Sequence, residues 1–174
     1  IASNGGRDFA GTTLASVPNI GAFEGTDGNS VQNGGFDSGS LSPWTLSGSG
    51  SASAITTSTK FNGTTSLQTG AANSGAQQTV TGLTPSTTYA LTANLKVANA
   101  GEDIALGAKD FGGTETFARS TATAFAPTTV YFTTGSTATS ATVYCYKNAG
   151  TGAGWCDGVS LQKVSTPANV LSNA

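Results

Sequence analysis

In residues 89–97, YALTANLKV, apolar side chains fall at every second position. Tyr89, Leu91, Ala93, Leu95 and Val97 share one face, and Ala90, Thr92, Asn94 and Lys96 the other. Shorter runs bounded by Gly, Ser, Thr and Asn clusters predict further strands in SVQNGGF, WTLSGSGSASAITT, TTSLQTG, AQQTVTG, DIALGAKDF, TTVYFTTG, SATVYCYKN and GWCDGVSLQKV. No 3.6-residue apolar period is sustained, so little helix is expected. The predicted class is all-β: a two-sheet antiparallel β-sandwich with jelly-roll connections, in which each sheet buries the apolar face of the other.

With 174 residues, 37% hydrophobic and 9% charged, the chain is long enough for one core and unlike a disordered protein. A net charge of -2 without a block of Lys or Arg argues against nucleic acid and anionic membrane as partners, and a monomer is expected. No apolar run approaches the ~20 residues that cross a bilayer. The chain shows neither an initiator Met nor a signal-peptide pattern and reads as a piece of a longer protein. Three segments are expected: 1–28 as a linker or remnant, 29–165 as the domain, and 166–174 as a linker stub.

Asp157 opens the closing alternation with Val159 and Leu161. Period-two geometry puts it on their face, toward a core where an unpaired carboxylate is costly. Something must compensate that charge, and a cluster of backbone N–H groups, as in a capped turn, is one means. Cys145 and Cys156 flank the Gly-rich YKNAGTGAGW, a candidate hairpin loop. A disulfide there fits a secreted, extracellular protein, and two buried free thiols are the alternative. Cys156 is out of phase with Val159 and Leu161, so a bulge is needed to bring both sulfurs to one side.

Catalysis finds little support. There is no His, and the adjacent Glu102 and Asp103 make a poor acid/base pair, reading better as a solvated turn. No phosphate loop, zinc spacing or nucleophile elbow occurs. The chain by itself is not expected to be an enzyme.

The ordered set NGGFDSGSLSPW, FNGTTSLQTG, AQQTVTGLTPSTTYALTANLKV, TTVYFTTG, ATVYCY and CDGVSL resembles the carbohydrate-binding modules grouped around families four, nine, sixteen and twenty-two. Asp37 stands where Glu is commoner, and Gly158 replaces the second Asp of the closing motif. The resemblance implies a galactose-binding-like sandwich that binds polysaccharide or oligosaccharide. It also implies a structural Ca²⁺ tying the first strand to the last, with Asp37 and Asp157 giving carboxylates and the loop FNGTTS a carbonyl near Thr64. Upstream, GRDFAGTTLASVPNIGAFE resembles the closing segment of parallel β-helix polysaccharide lyases and glycoside hydrolases, which implies a catalytic domain before this one. GLTPSTTYALTANL also resembles a fibronectin type III turn, but that fold should end soon after Tyr89, and about half the chain follows.

Sugar recognition needs an aromatic platform and planar polar side chains. Tyr144 and Tyr146 alternate with Val143 and Cys145, and Asn94 and Lys96 flank Leu95, so these four are expected on one binding face. Gln77, Phe117 and Arg119 lie where the family resemblance implies cleft residues, whereas Trp44 and Trp155 read as packing residues. Lys96, Lys109, Arg119 and Lys147 permit an acidic polymer, and a neutral β-glucan is equally open. An adhesive or spacer sandwich without glycan binding, or a complete small lyase or hydrolase, are the competing functions.

Overall fold

The computed structural model describes residues 29–48 and 52–164, so the expected β-helix remnant and the linker stub lie outside the described residues. Ten strands follow in order: β1 Thr45–Ser47, β2 Ala54–Thr56, β3 Ser66–Gln68, β4 Ser74–Thr81, β5 Thr88–Val97, β6 Ile104–Lys109, β7 Thr116–Ser120, β8 Ala126–Thr133, β9 Ser140–Lys147 and β10 Gly154–Lys163. They form two antiparallel five-stranded sheets, β1-β4-β9-β6-β7 and β2-β3-β10-β5-β8. This is the predicted all-β sandwich with jelly-roll connections. Among the described residues there is no helix.

The core lies where the inward faces meet. Leu91, Leu95 and Val97 of β5 pack with Leu106 of β6, Val143 of β9 and Leu161 of β10, all buried. Burial alternates along the whole of β5, as its sequence requires. The segment WTLSGSGSASAITT supplies two short strands in different sheets, and β7 (TFARS) is a strand that the sequence reading omitted.

SVQNGGF is a chain of turns rather than a strand. It still binds the last strand: Ser30 N–H donates to the Leu161 carbonyl, and Val159 N–H donates to that of Gly34. A Cβ at Gly34 would collide with the Val159 carbonyl, so only glycine permits this approach. Trp44 caps the turns. It is buried, its ring lies 5.3 Å from that of Phe36, and its Nε1–H donates to the carbonyls of Gln32 and Asn33.

The disulfide joins Cys145 to Cys156. β9 and β10 belong to different sheets, so the bond crosses the core and closes no hairpin. Both sulfurs reach one side because β10 carries a bulge between Asp157 and Ser160, where Gly158 has φ 62°. The same bulge corrects the expected orientation of Asp157. Cys156, Val159 and Leu161 face the core, while Asp157 pairs with Asn94 on the outer side.

Candidate functional site

The outer face of the β1-β4-β9-β6-β7 sheet is read from its register. One rung carries Thr45, Gln77, Tyr144, Gly107 and Phe117; the next carries Ser47, Gly75, Tyr146, Ala105 and Arg119. A third begins with Thr79, Thr142 and Lys109. Five residues expected at the site, Gln77, Phe117, Arg119, Tyr144 and Tyr146, therefore share one surface. Asn94 and Lys96 do not. They project from β5 in the other sheet, where Lys96 pairs with Trp155 and holds its Nζ 4.6 Å from the indole centroid. The single face expected for Asn94, Lys96, Tyr144 and Tyr146 is thus two faces. Alternation distinguishes inward from outward but does not say which sheet a strand joins.

Glycines beside the tyrosines leave room for their rings. Gly107 stands opposite Tyr144, and a Cβ there would collide with the Tyr144 Cζ and hydroxyl. Cβ atoms at Gly75 and Gly48 would lie 2.8 and 2.9 Å from Cδ2 and Cε2 of Tyr146. One ring thus lies over β6 and the other over the β4 and β1 side of the sheet, instead of standing upright.

Polar groups surround these rings. A cavity of about 400 Å³ is bounded by Gly48, Gln77, Lys109, Glu115, Tyr144 and Tyr146. The Tyr144 hydroxyl donates to Glu115 Oε1 at 2.7 Å. Burial, then the bond to Glu115 and the charge of that carboxylate, push the phenol well above its ordinary range, so Tyr144 stays neutral. Phe117 is half exposed, with the Arg119 guanidinium 5.1 Å from its ring centroid. Arg119 also pairs with Asp103 at 2.7 Å. A floor of flat rings edged by amide, ammonium and carboxylate groups suits a sugar, whose C–H face stacks while its hydroxyls find hydrogen-bond partners.

Lys147 contributes nothing to that surface. It is fully buried, with Nζ 2.8 Å from Glu102 Oε2 and 3.0 Å from the Ala149 carbonyl. Glu102 in turn accepts the N–H groups of Thr151 and Gly152. The expected solvated turn at Glu102 is instead an ion pair that holds the loop after β9. Asp103 is the more accessible of the two, with 35% of its side chain exposed against 13% for Glu102.

On the outer side of the other sheet, two carboxylates converge on the loop between β2 and β3. Asp157 is 1% exposed; its Oδ2 accepts the N–H groups of Phe61 and Asn62, and its Oδ1 that of Gly158. Burial raises its pKa, those N–H groups lower it, and the charge of Asp37 raises it again. Asp37 Oδ1 accepts the N–H groups of Thr64 and Thr65 and the Thr64 hydroxyl, with the Thr64 N–H the foremost cause of its lowered pKa. Backbone N–H groups thus compensate the Asp157 charge in the manner of a capped turn. Of the hard oxygens that a calcium ion takes, the two carboxylates are present, and Asp37 Oδ2 accepts no hydrogen bond among the described residues. Thr64 meets Asp37 through its N–H and hydroxyl, not through the expected carbonyl. Phe36, before Asp37, is held at φ 60°, an uncommon conformation for a bulky residue.

A two-sheet sandwich with an aromatic-floored cleft on one outer face defines a class of sugar-binding domain. Residues 28–152 match the model of the carbohydrate binding domain family, and the chain belongs to that family. It is 41% identical over 115 residues to a keratan-sulfate endo-1,4-beta-galactosidase of Sphingobacterium multivorum; the match takes in 66% of this chain and 27% of that enzyme. The chain therefore spans about a quarter of the length of that relative. Among solved structures, a family 61 module in complex with beta-1,4-galactotriose superposes with a TM-score of 0.60 at 23% identity, over 78% of this chain and 99% of its own. A family 16 module gives 0.62 at 24%, over 76% of this chain and 99% of its own. The xylan-binding family 22 module of Paenibacillus barcinonensis Xyn10C gives 0.59 at 16%, over 76% and 92%.

Proposed function

We propose that the chain is a non-catalytic module that holds a secreted polysaccharide-degrading enzyme on its substrate, with the glycan lying across the rungs of Tyr144 and Tyr146. The observation that carries this reading is the pair of tyrosine rings set flat beside Gly107, Gly75 and Gly48. A ring lying flat offers its face to a pyranose, whereas an upright one presents only its edge; Tyr146 is the more accessible of the two, since Tyr144 is 9% exposed. Gln77, Lys109 and Glu115 then fix the orientation of the sugar through its hydroxyls.

For the glycan we propose a polymer containing β-1,4-linked galactose. Support comes from the relative that acts on keratan sulfate, and from a neighbour of the same fold bound to β-1,4-galactotriose. Charge does not favour a polyanion. Lys147 is buried in an ion pair, Arg119 is paired with Asp103, and Lys109 faces the same cavity as Glu115. Titration of the chain with β-1,4-galactan, keratan sulfate and xylan tests the assignment: tightest binding to a galactose-containing polymer supports it, and preference for xylan overturns it.

Beside the other sheet a Ca²⁺ ion, held by Asp37 and Asp157, would neutralise two like charges that face one loop. Its service there is structural, fastening the opening turns to β10. The chain works as a monomer.

A further inference from the structure

Gly107 is an anomaly in its strand. β6 lies between β9 and β7, and a glycine inside a strand weakens it through backbone entropy and a missing side chain. No positive φ accounts for its presence, since Gly107 is absent from the residues with that conformation. Backbone crowding does not account for it either. The three nearest neighbours of a Cβ at this position are all atoms of the Tyr144 side chain: Cζ, the hydroxyl and Cε1. Gly75 and Gly48 differ, because there a Cβ would also strike the carbonyls of Cys145 and Asn73.

We infer that Gly107 is a positioning residue for glycan binding: its bare backbone is the seat on which the Tyr144 ring lies flat, and Glu115 latches that ring by accepting its hydroxyl. The inference rests on the reading of this face as the glycan site. Phe117 shares the rung on the other side of Gly107, so the Tyr144 ring, lying over the glycine, extends from β9 toward Phe117. A methyl group there would force the Tyr144 ring off the sheet and away from Glu115, and a stacked sugar would lose its platform.

A double-mutant cycle tests the seat. Gly107→Ala should weaken glycan binding about fivefold or more, the scale of losing one aromatic anchor, and should alter the near-ultraviolet circular dichroism from tyrosine. In a Tyr144→Ala background the same substitution should leave affinity unchanged and should not lower the melting temperature. Normal binding by Gly107→Ala overturns the inference, as does an equal loss in both backgrounds. If Gly107→Ala fails to fold, Gly107→Ala/Tyr144→Ala must fold as Tyr144→Ala does; an unfolded double variant means that the glycine serves the backbone. A wild-type chain that retains no glycan contradicts the site itself, an outcome distinct from all of these.

Discussion

Cys145 and Cys156 join the two sheets through the core, with their Cα atoms 6.4 Å apart. On β9 the outward neighbours of Cys145 are Tyr144 and Tyr146; on β10 the residue after Cys156 is Asp157. One covalent link therefore ties the floor of the aromatic cleft to the strand that anchors the β2–β3 loop. With 11 residues of sequence separation, the chain-entropy model gives about 2–3 kcal/mol of stabilisation. Chemical denaturation with and without reductant should show a loss of that size; equal midpoints would contradict it.

The bulge after Asp157 shows how far the sequence is legible. Cys156 is out of phase with Val159, and that mismatch alone announces an extra residue in the strand. The same mismatch removes Asp157 from the face of Val159 and Leu161, because Gly158 is inserted between them. In β9 the parity that turns Cys145 inward turns Lys147 inward as well, but a lysine in a strand reads as a surface charge until Glu102 is placed beside it. The long alternation of β5 needs no structure to interpret. The composition of the cleft does, since each rung is assembled from five strands whose register no local pattern encodes. Gly107, standing inside the predicted strand DIALGAKDF, is a signal that something large lies close to the backbone.

Calcium is expected to bind where Asp37 and Asp157 face the Phe61–Thr65 loop. A ligand that binds only the folded state raises the melting temperature by mass action. Adding Ca²⁺ to chelator-treated protein should therefore raise it, and Asp157→Ala should abolish the difference. Identical melting curves with and without the ion, together with no metal found on elemental analysis, would remove calcium from the account.

Acid should loosen the loop after β9. The Lys147 ammonium, then the Thr151 N–H and Asn99, hold the Glu102 carboxyl well below its ordinary range. A carboxyl with a depressed folded pKa contributes stability above its unfolded pKa, and that contribution is lost as pH falls toward the folded value. The melting temperature should drop as pH falls below about 4.5, the ordinary glutamate value. Asp37 adds to that limb, whereas Asp157, shifted upward, opposes it. Glu102→Gln should melt lower at neutral pH and show a flatter acid limb. An unchanged acid limb in that variant would show that the ion pair does not govern it.

The two outer faces make opposite predictions for glycan binding. Tyr144→Ala removes a stacked ring, which costs on the order of 1–3 kcal/mol at an aromatic anchor, whereas Lys96→Ala and Asn94→Ala alter the other sheet. Isothermal titration of the wild type and these three variants with β-1,4-galactan tests the central claim most directly. Tyr144→Ala should bind at least about fivefold more weakly, while Lys96→Ala and Asn94→Ala bind as the wild type does and all three remain folded. Loss of binding in Lys96→Ala or Asn94→Ala with Tyr144→Ala unaffected would place the glycan on the opposite sheet. Failure of the wild type to bind this polymer, keratan sulfate or xylan would favour an adhesive or spacer domain.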